Sequence, residues 1–237
     1  MNKLFSVILA LALCFLLLSA AAEEASPVGT WYVVRAESSG FEMKIVDPEA
    51  FTLTISEDAS FALAAEGMNI TGTWTYGDST NVLSMDMGEG EAQQNFQVRL
   101  EGDELIMDAD NVFVFSRTPA EPITLSSAVQ AGSIEDFNGT WKPIAKIQLG
   151  LWGPTTEDTL YLLIENGKVT TFKPGPDGDI YPFTDYDAEY EDGVLTTVRP
   201  EETMSFVLHE DGTLFNPCIY DNGYNRNVHT DIYIRME

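Results

Sequence analysis

Thr159-Leu160-Tyr161-Leu162-Leu163-Ile164-Glu165, then Asn166-Gly167, then Lys168-Val169-Thr170-Thr171-Phe172-Lys173 is the stretch that sets the fold class. Two runs rich in aromatic and β-branched residues flank an Asn-Gly pair. Both residues of such a pair tolerate positive φ, and the resulting turn has the twist of the strands it joins, so the stretch predicts a β-hairpin. The same grammar recurs outward from it. Asp192-Gly193, Asp211-Gly212 and Glu101-Gly102-Asp103 separate further alternating runs, at spacings of roughly 8–12 residues. After residue 22 no stretch holds a helical period over several turns, and only Leu125–Ala131 predicts a short helix. The chain reads as all-β.

Eight strands are predicted in the first half: 29–36, 51–56, 61–66, 70–76, 81–86, 95–100, 104–107 and 112–117. Eight more are predicted in the second: 139–148, 159–165, 168–173, 180–190, 194–199, 204–209, 213–218 and 228–236. The halves open alike, on Val28-Gly29-Thr30-Trp31 and Asn138-Gly139-Thr140-Trp141. They also close alike, on an aromatic or β-branched strand that carries a late Arg117 or Arg235. Thr118–Asp136, with Pro119, Pro122 and Gly132, reads as the linker between them. The expected organisation is an export segment over 1–22, a barrel over 26–118, a linker over 119–136 and a second barrel over 137–237.

A length of 237 residues suits two domains of roughly 100 residues each. Against 38 Asp and Glu stand 12 Lys and Arg, a net charge of -26. Nucleic acid and anionic membrane surfaces repel such a chain, so neither is expected as a partner. The acidic surface favours solubility and suits cationic ligands.

The N-terminus carries an export signal. Lys3 precedes an uncharged apolar run, Leu4–Leu18, followed by Ser19-Ala20-Ala21-Ala22 and Glu23-Glu24, which sets cleavage after Ala22. Retention as an anchor stays open, because Leu4–Ala22 approaches spanning length. Cys14 lies inside the apolar run behind Leu13, which is not small, so lipidation is not expected. Cleavage leaves Cys218 as the sole cysteine and no intramolecular disulfide. Cysteine-poor export on a short Sec-type signal points to a bacterial, secreted or extracytoplasmic protein with no membrane insertion after cleavage.

Gly29-Thr30-Trp31-Tyr32 and Gly139-Thr140-Trp141 resemble the G-x-W opening of the lipocalins and of the small bacterial lipocalin-like (calycin-type) domains. Gly72-Thr73-Trp74-Thr75-Tyr76-Gly77-Asp78, followed by Val82-Leu83-Ser84-Met85, is similar to the middle of the bacterial pattern. The resemblance implies two tandem antiparallel up-and-down β-barrels joined by a short linker. It also implies that Trp31 and Trp141 close the barrel bases under Arg117 and Arg235. Thr184-Asp185-Tyr186 matches a lipocalin triplet but lies too near Trp141 to correspond.

No catalytic constellation emerges. His209 and His229 lie on separate strands, and Cys218 lacks an activating motif. Asp185, Asp187, Glu189 and Glu191 alternate along one strand and so share one face, opposite Tyr186 and Tyr190. That row reads as a solvated strand face, with Ca²⁺ binding the other reading. Trp152, in the apolar loop Leu149–Pro154, together with Tyr220 and Tyr224, is the candidate ligand contact at a barrel mouth. The expectation is a non-catalytic binding protein with no cofactor and no metal, holding a small apolar or amphipathic ligand. Packed barrels that bind an extracellular protein are the alternative. A hydrolase using Asp185, Asp187, His209 or His229 is the second alternative.

Overall fold

Gly29 and Gly139, the first residues of the two G-x-W openings, sit at φ of 139° and 137°, a backbone region closed to residues with a Cβ. Each starts a sheet. The computed structural model describes residues 26–65, 68–77, 80, 82–86, 95–108, 111–155, 159–177, 179–198, 202–221 and 226–236. The export segment over 1–22 and Tyr224 lie outside them.

The first half forms β1 (Gly29–Ser38), β2 (Phe41–Ile45), β3 (Phe51–Ile55), β4 (Ser60–Ala65), β5 (Met68–Gly77), β6 (Val82–Asp86), β7 (Asn95–Glu101), β8 (Glu104–Asp108) and β9 (Asn111–Ser116). β1 pairs with β3, each later strand pairs with the next, and β9 returns to β1, all antiparallel. This is a closed eight-stranded barrel, with β2 folded back on the far end of β1. Alternation sends one side chain in two inward. Trp31, Val33, Phe51, Leu53, Ile55, Phe61, Leu83, Met85, Val98, Leu105 and Phe115 make up its buried core. Among the described residues of this half, none of the buried side chains is polar.

The second half forms β10 (Gly139–Gln148), β11 (Leu151–Pro154), β12 (Tyr161–Glu165), β13 (Lys168–Pro174), β14 (Ile180–Asp187), β15 (Glu189–Glu191), β16 (Val194–Val198), β17 (Glu202–Leu208), β18 (Thr213–Asp221) and β19 (Arg226–Arg235). Antiparallel ladders run from β15 through β16, β17, β18 and β19 to β10, then on through β12 and β13 to β14. The single strand expected over Ile180–Tyr190 is broken. Ala188 leaves the strand and its N–H donates to Gly167 O at 2.8 Å. Across the break, β14 pairs with β13 and β15 pairs with β16. No ladder joins β14 to β16 among the described residues. The Asn166-Gly167 turn has φ of 50° and 82°, the conformation that its sequence predicts.

β2 and β11 are absent from the sequence-based strand set. Each follows a two-residue turn, Ser39-Gly40 or Leu149-Gly150, with both residues at positive φ. Each turn starts eight residues past its half's tryptophan. β2 and β11 pair antiparallel with each other, Ile45 opposite Leu151 and Lys44 opposite Trp152. Continuing that register sets Met43 opposite Gly153, each twelve residues past its tryptophan. The seam thus joins like to like, as a local two-fold requires.

The linker departs from expectation. Leu125–Ala131 is extended, not helical. Ala128 bridges His209, Val129 N–H donates to Leu208 O at 2.8 Å, and Glu210 N–H donates to Ser127 O at 3.0 Å. Pairing with a strand end satisfies the same backbone groups that a helix would. The helical turn comes later, as a 3-10 helix over Ile134–Phe137.

Candidate functional site

β10 and β19 carry the register of β1 and β9 almost residue for residue. The β1–β9 ladder slips between Val33 and Arg35, and the β10–β19 ladder slips between Pro143 and Ala145, the same two positions counted from each tryptophan. Beyond the slip, Ala36 faces Phe113 in the first half, where Lys146 faces Asp231 in the second. The first barrel fills this level with an aromatic ring. The second half places an ion pair there.

The inward faces of β18 and β19 supply the rest. Three cross-strand pairs follow one another: Leu214 with Tyr233, Asn216 with Asp231, and Cys218 with His229. The first belongs to the apolar floor, where Phe137, Trp141, Leu162, Ile164 and Phe206 are almost completely buried. Above that floor the residues turn polar around a cavity of about 270 Å³, lined by Lys146, Asn216, Cys218, His229, Asp231 and Tyr233, with Leu162 and Met204 on its apolar side.

Lys146 Nζ lies 3.8 Å from Asp231 Oδ1, inside ion-pair range and outside hydrogen-bond range. His229 Nε2 lies 3.5 Å from Asp231 Oδ2, and its Nδ1 lies 3.4 Å from Asn227 Oδ1. The imidazole thus directs both nitrogens along its own strand. Asn216 is 2% exposed and Asp231 8%. Asn216 Oδ1 and Asp231 Oδ1 are sealed from solvent and accept no hydrogen bond. Burial pushes the Tyr233 phenol well above its ordinary range. The Asp231 charge pushes in the same direction, while a hydrogen bond with the Asn216 side chain pulls the other way.

The two tryptophans at the barrel bases show one geometry twice. The Arg117 guanidinium lies 4.2 Å from the Trp31 ring centroid, and that of Arg235 lies 4.7 Å from Trp141. Trp31 Nε1 donates to Pro27 O at 2.8 Å and Trp141 Nε1 to Phe137 O at 2.9 Å, each four residues back. Arg117 donates to Val28 O at 2.8 Å and also to Ser26 O, and Arg235 donates to Asp136 O. A Cβ on Gly29 would stand 2.2 Å from the Arg117 guanidinium, which is a second reason for glycine there.

The remaining candidates are dispersed. Trp152 lies in β11 at the seam, with Lys44 Nζ 4.9 Å from its ring centroid, and packs against the cluster of Ala145, Phe215 and Ile232. Tyr220 lies on β18, opposite Asn227 and Glu202. His209 is far from His229 in role: its ring stacks on Phe215 at 3.7 Å and its Nδ1 meets Ser126 O at 2.6 Å, which ties the linker down. Asp185 faces outward and pairs with Lys168 at 2.8 Å. The hydrogen bonds from Lys168 and Thr170 hold its carboxyl below the ordinary range.

Lys146, Asn216 and Asp231 escaped the sequence reading. Their signal was present: strand alternation puts Asn216 and Asp231 on the same face as Leu214 and Tyr233, and a polar residue on a core face is the informative exception. Counting from each G-x-W also sets Lys146 where the other half has Ala36.

No protein-family model matches the sequence, and no curated protein matches it. Among solved structures the chain is similar to a protein of unknown function from the DUF3598 family of Nostoc punctiforme PCC 73102. The identity is 10%, over 89% of this chain and 96% of that one, with a TM-score of 0.24. At that score the likeness carries no functional argument.

Proposed function

We propose that the chain is an exported, non-catalytic binding protein of the lipocalin-like kind. In this reading the second half is a second, incompletely hydrogen-bonded barrel that holds one small amphipathic ligand. The observation that supports it most is the contrast between halves at one register level. Ala36 and Phe113 close the first interior, whereas Lys146 and Asp231 border a cavity above an apolar floor. Such a site, in which several polar groups converge above an apolar floor, has the form of a small-molecule pocket. What supports binding over catalysis is that both His229 nitrogens have partners on its own strand, Asn227 and Asp231.

Native mass spectrometry of the protein from its exporting host tests this. Extra mass that is lost on denaturation, and that is absent from a Lys146→Ala/Asp231→Phe variant, is the expected result. An unliganded mass that persists after incubation with small amphiphiles of every charge type would overturn it.

A second reading is an extracellular protein-interaction module. Ile180, Tyr181 and Phe183 on β14 are 46%, 55% and 61% exposed, on a strand that pairs only with β13 among the described residues. A strand with a free edge and exposed apolar side chains can accept a partner strand. Capture of a partner that Phe183→Asp abolishes, with cavity binding intact, would favour this reading.

A further inference from the structure

Asn216 and Asp231 are opposite each other in the β18–β19 ladder and both line the cavity, and the Oδ1 of each is a buried acceptor without a donor. An acceptor shut away from water and left unmet destabilises the fold, and more so if it is charged. The Asn216 side chain also shares a hydrogen bond with Tyr233, and its Oδ1 is left out of it. What these two oxygens lack is therefore a donor. An incoming carboxylate or phosphate brings further acceptors and sets a negative charge against Asp231, and an ether brings an acceptor alone.

Lys146 does not fill the need. Its ammonium stands 3.8 Å from Asp231 Oδ1, too far for a hydrogen bond, and its side chain is 32% exposed. It also lines a neighbouring cleft of about 210 Å³ at the seam, beside Met43, Phe113 and Leu149. It can therefore withdraw to that cleft when another cation takes its place. The net charge of -26 draws cations toward the chain from a distance.

We infer that the ligand of this cavity carries a primary ammonium on a short apolar body, the ammonium bridging Asn216 Oδ1 and Asp231 Oδ1 and the body resting against Leu162 and Met204. The inference rests on the reading of the cavity as a ligand site. A primary ammonium supplies three N–H donors and no acceptor, which matches the two open oxygens.

Titration calorimetry of the full chain with hexylammonium, hexyltrimethylammonium, hexanol and hexanoate tests it. Hexyltrimethylammonium keeps the charge and removes every N–H. The expected result is one hexylammonium site, at least tenfold tighter than any of the other three. Asn216→Leu should weaken it at least tenfold, while Asn216→Asp, which keeps the acceptor, should hold or tighten it. Melting curves of both variants verify that they are folded. If hexanol or hexanoate binds one-to-one as tightly as hexylammonium, the ammonium class is overturned and the cavity reading stands. If both cations bind alike and Asn216→Leu changes neither, surface charge alone explains the binding and the inference fails. If none of the four binds one-to-one, the inference and the binding reading fall together.

Discussion

Lys146 and Asp231 stand opposite each other in the β10–β19 ladder, with 3.8 Å between ammonium and carboxylate, at the register level where Ala36 meets Phe113 in the closed barrel. One level of one architecture is thus solved twice, once by packing and once by charge.

Transplanting the first solution into the second half is the most direct prediction. Lys146→Ala/Asp231→Phe should match or exceed the native stability, because replacing a poorly solvated ion pair with apolar volume is often neutral or favourable by about 1–4 kcal/mol. Lys146→Ala alone should cost about 1–2 kcal/mol, since it leaves the Asp231 carboxylate uncompensated. The figure is kept low because Lys146 is about a third exposed. Urea denaturation midpoints check both. A double variant less stable than the single would mean that the two levels are not interchangeable.

Trp141 is 1% exposed, hydrogen-bonded and covered by Arg235. Trp141→Ala should lose about 3–5 kcal/mol, the range for a core aromatic. Arg235→Ala should lose about 0.5–1 kcal/mol from its exposed cation–π contact, plus its hydrogen bond to the Asp136 carbonyl. Equal losses from the two would show that Arg235, not burial of the indole, holds the base of this half.

The seam makes a glycine comparison possible. A Cβ on Gly150 would stand 2.2 Å from the Asp47 carbonyl oxygen, whereas one on Gly40 would meet nothing within 4 Å, and both sit at positive φ. Gly40→Ala should cost about 1–2 kcal/mol from backbone strain alone. Gly150→Ala should cost about 1–3 kcal/mol more, because Val46 and Asp47 both donate to Gly150 O and fix that approach. Thermal melts that rank the two alike would mean that the Asp47 carbonyl gives way freely.

Tyr233 predicts the alkaline behaviour. Burial, then the Asp231 charge, holds its folded-state pKa above the ordinary phenol value of about 10. The folded state therefore keeps this proton after the unfolded state releases it. Its contribution to stability is intact below about pH 10 and is lost as pH rises toward the folded value. Unfolding midpoints measured on both sides of pH 10 should drop more steeply for the native chain than for Tyr233→Phe. Parallel curves would show that Tyr233 ionises freely while folded.

Trp152 tests the division between seam and cavity. Its ring lies under Lys44 and against the outer cluster of Ala145, Phe215 and Ile232. Trp152→Ala should lower stability by about 1–2 kcal/mol through lost packing and the cation–π contact. It should change the affinity of a cavity ligand less than twofold. A larger loss of affinity would return Trp152 to the ligand site that its loop position suggested.

Much of the strand order was legible because turn chemistry and alternation are local. Asn166-Gly167 and Asp192-Gly193 announce their turns by composition, and the strands flanking the first fall where the pattern predicts. The G-x-W openings were legible for the same reason: a glycine at φ near 139°, two residues before a tryptophan, is a local requirement. Leu149 at φ 56° announces nothing, since leucine rarely enters that region. Its turn exists because β11 finds β2 on the far side of the seam. The break at Ala188 likewise depends on Gly167, brought near by a different hairpin.

By itself, then, the sequence determined the all-β class, fifteen of the sixteen strands read from alternation, and the paired tryptophans with their arginines. These rest on periodicity and on glycine backbone freedom, which act over a few residues. Only the tertiary structure decided that the first interior closes while Lys146, Asn216 and Asp231 meet around a cavity in the second. Alternation tells which side chains point inward. Whether the inward space is filled depends on what strands distant in sequence contribute at the same level, and that is a matter of long-range register.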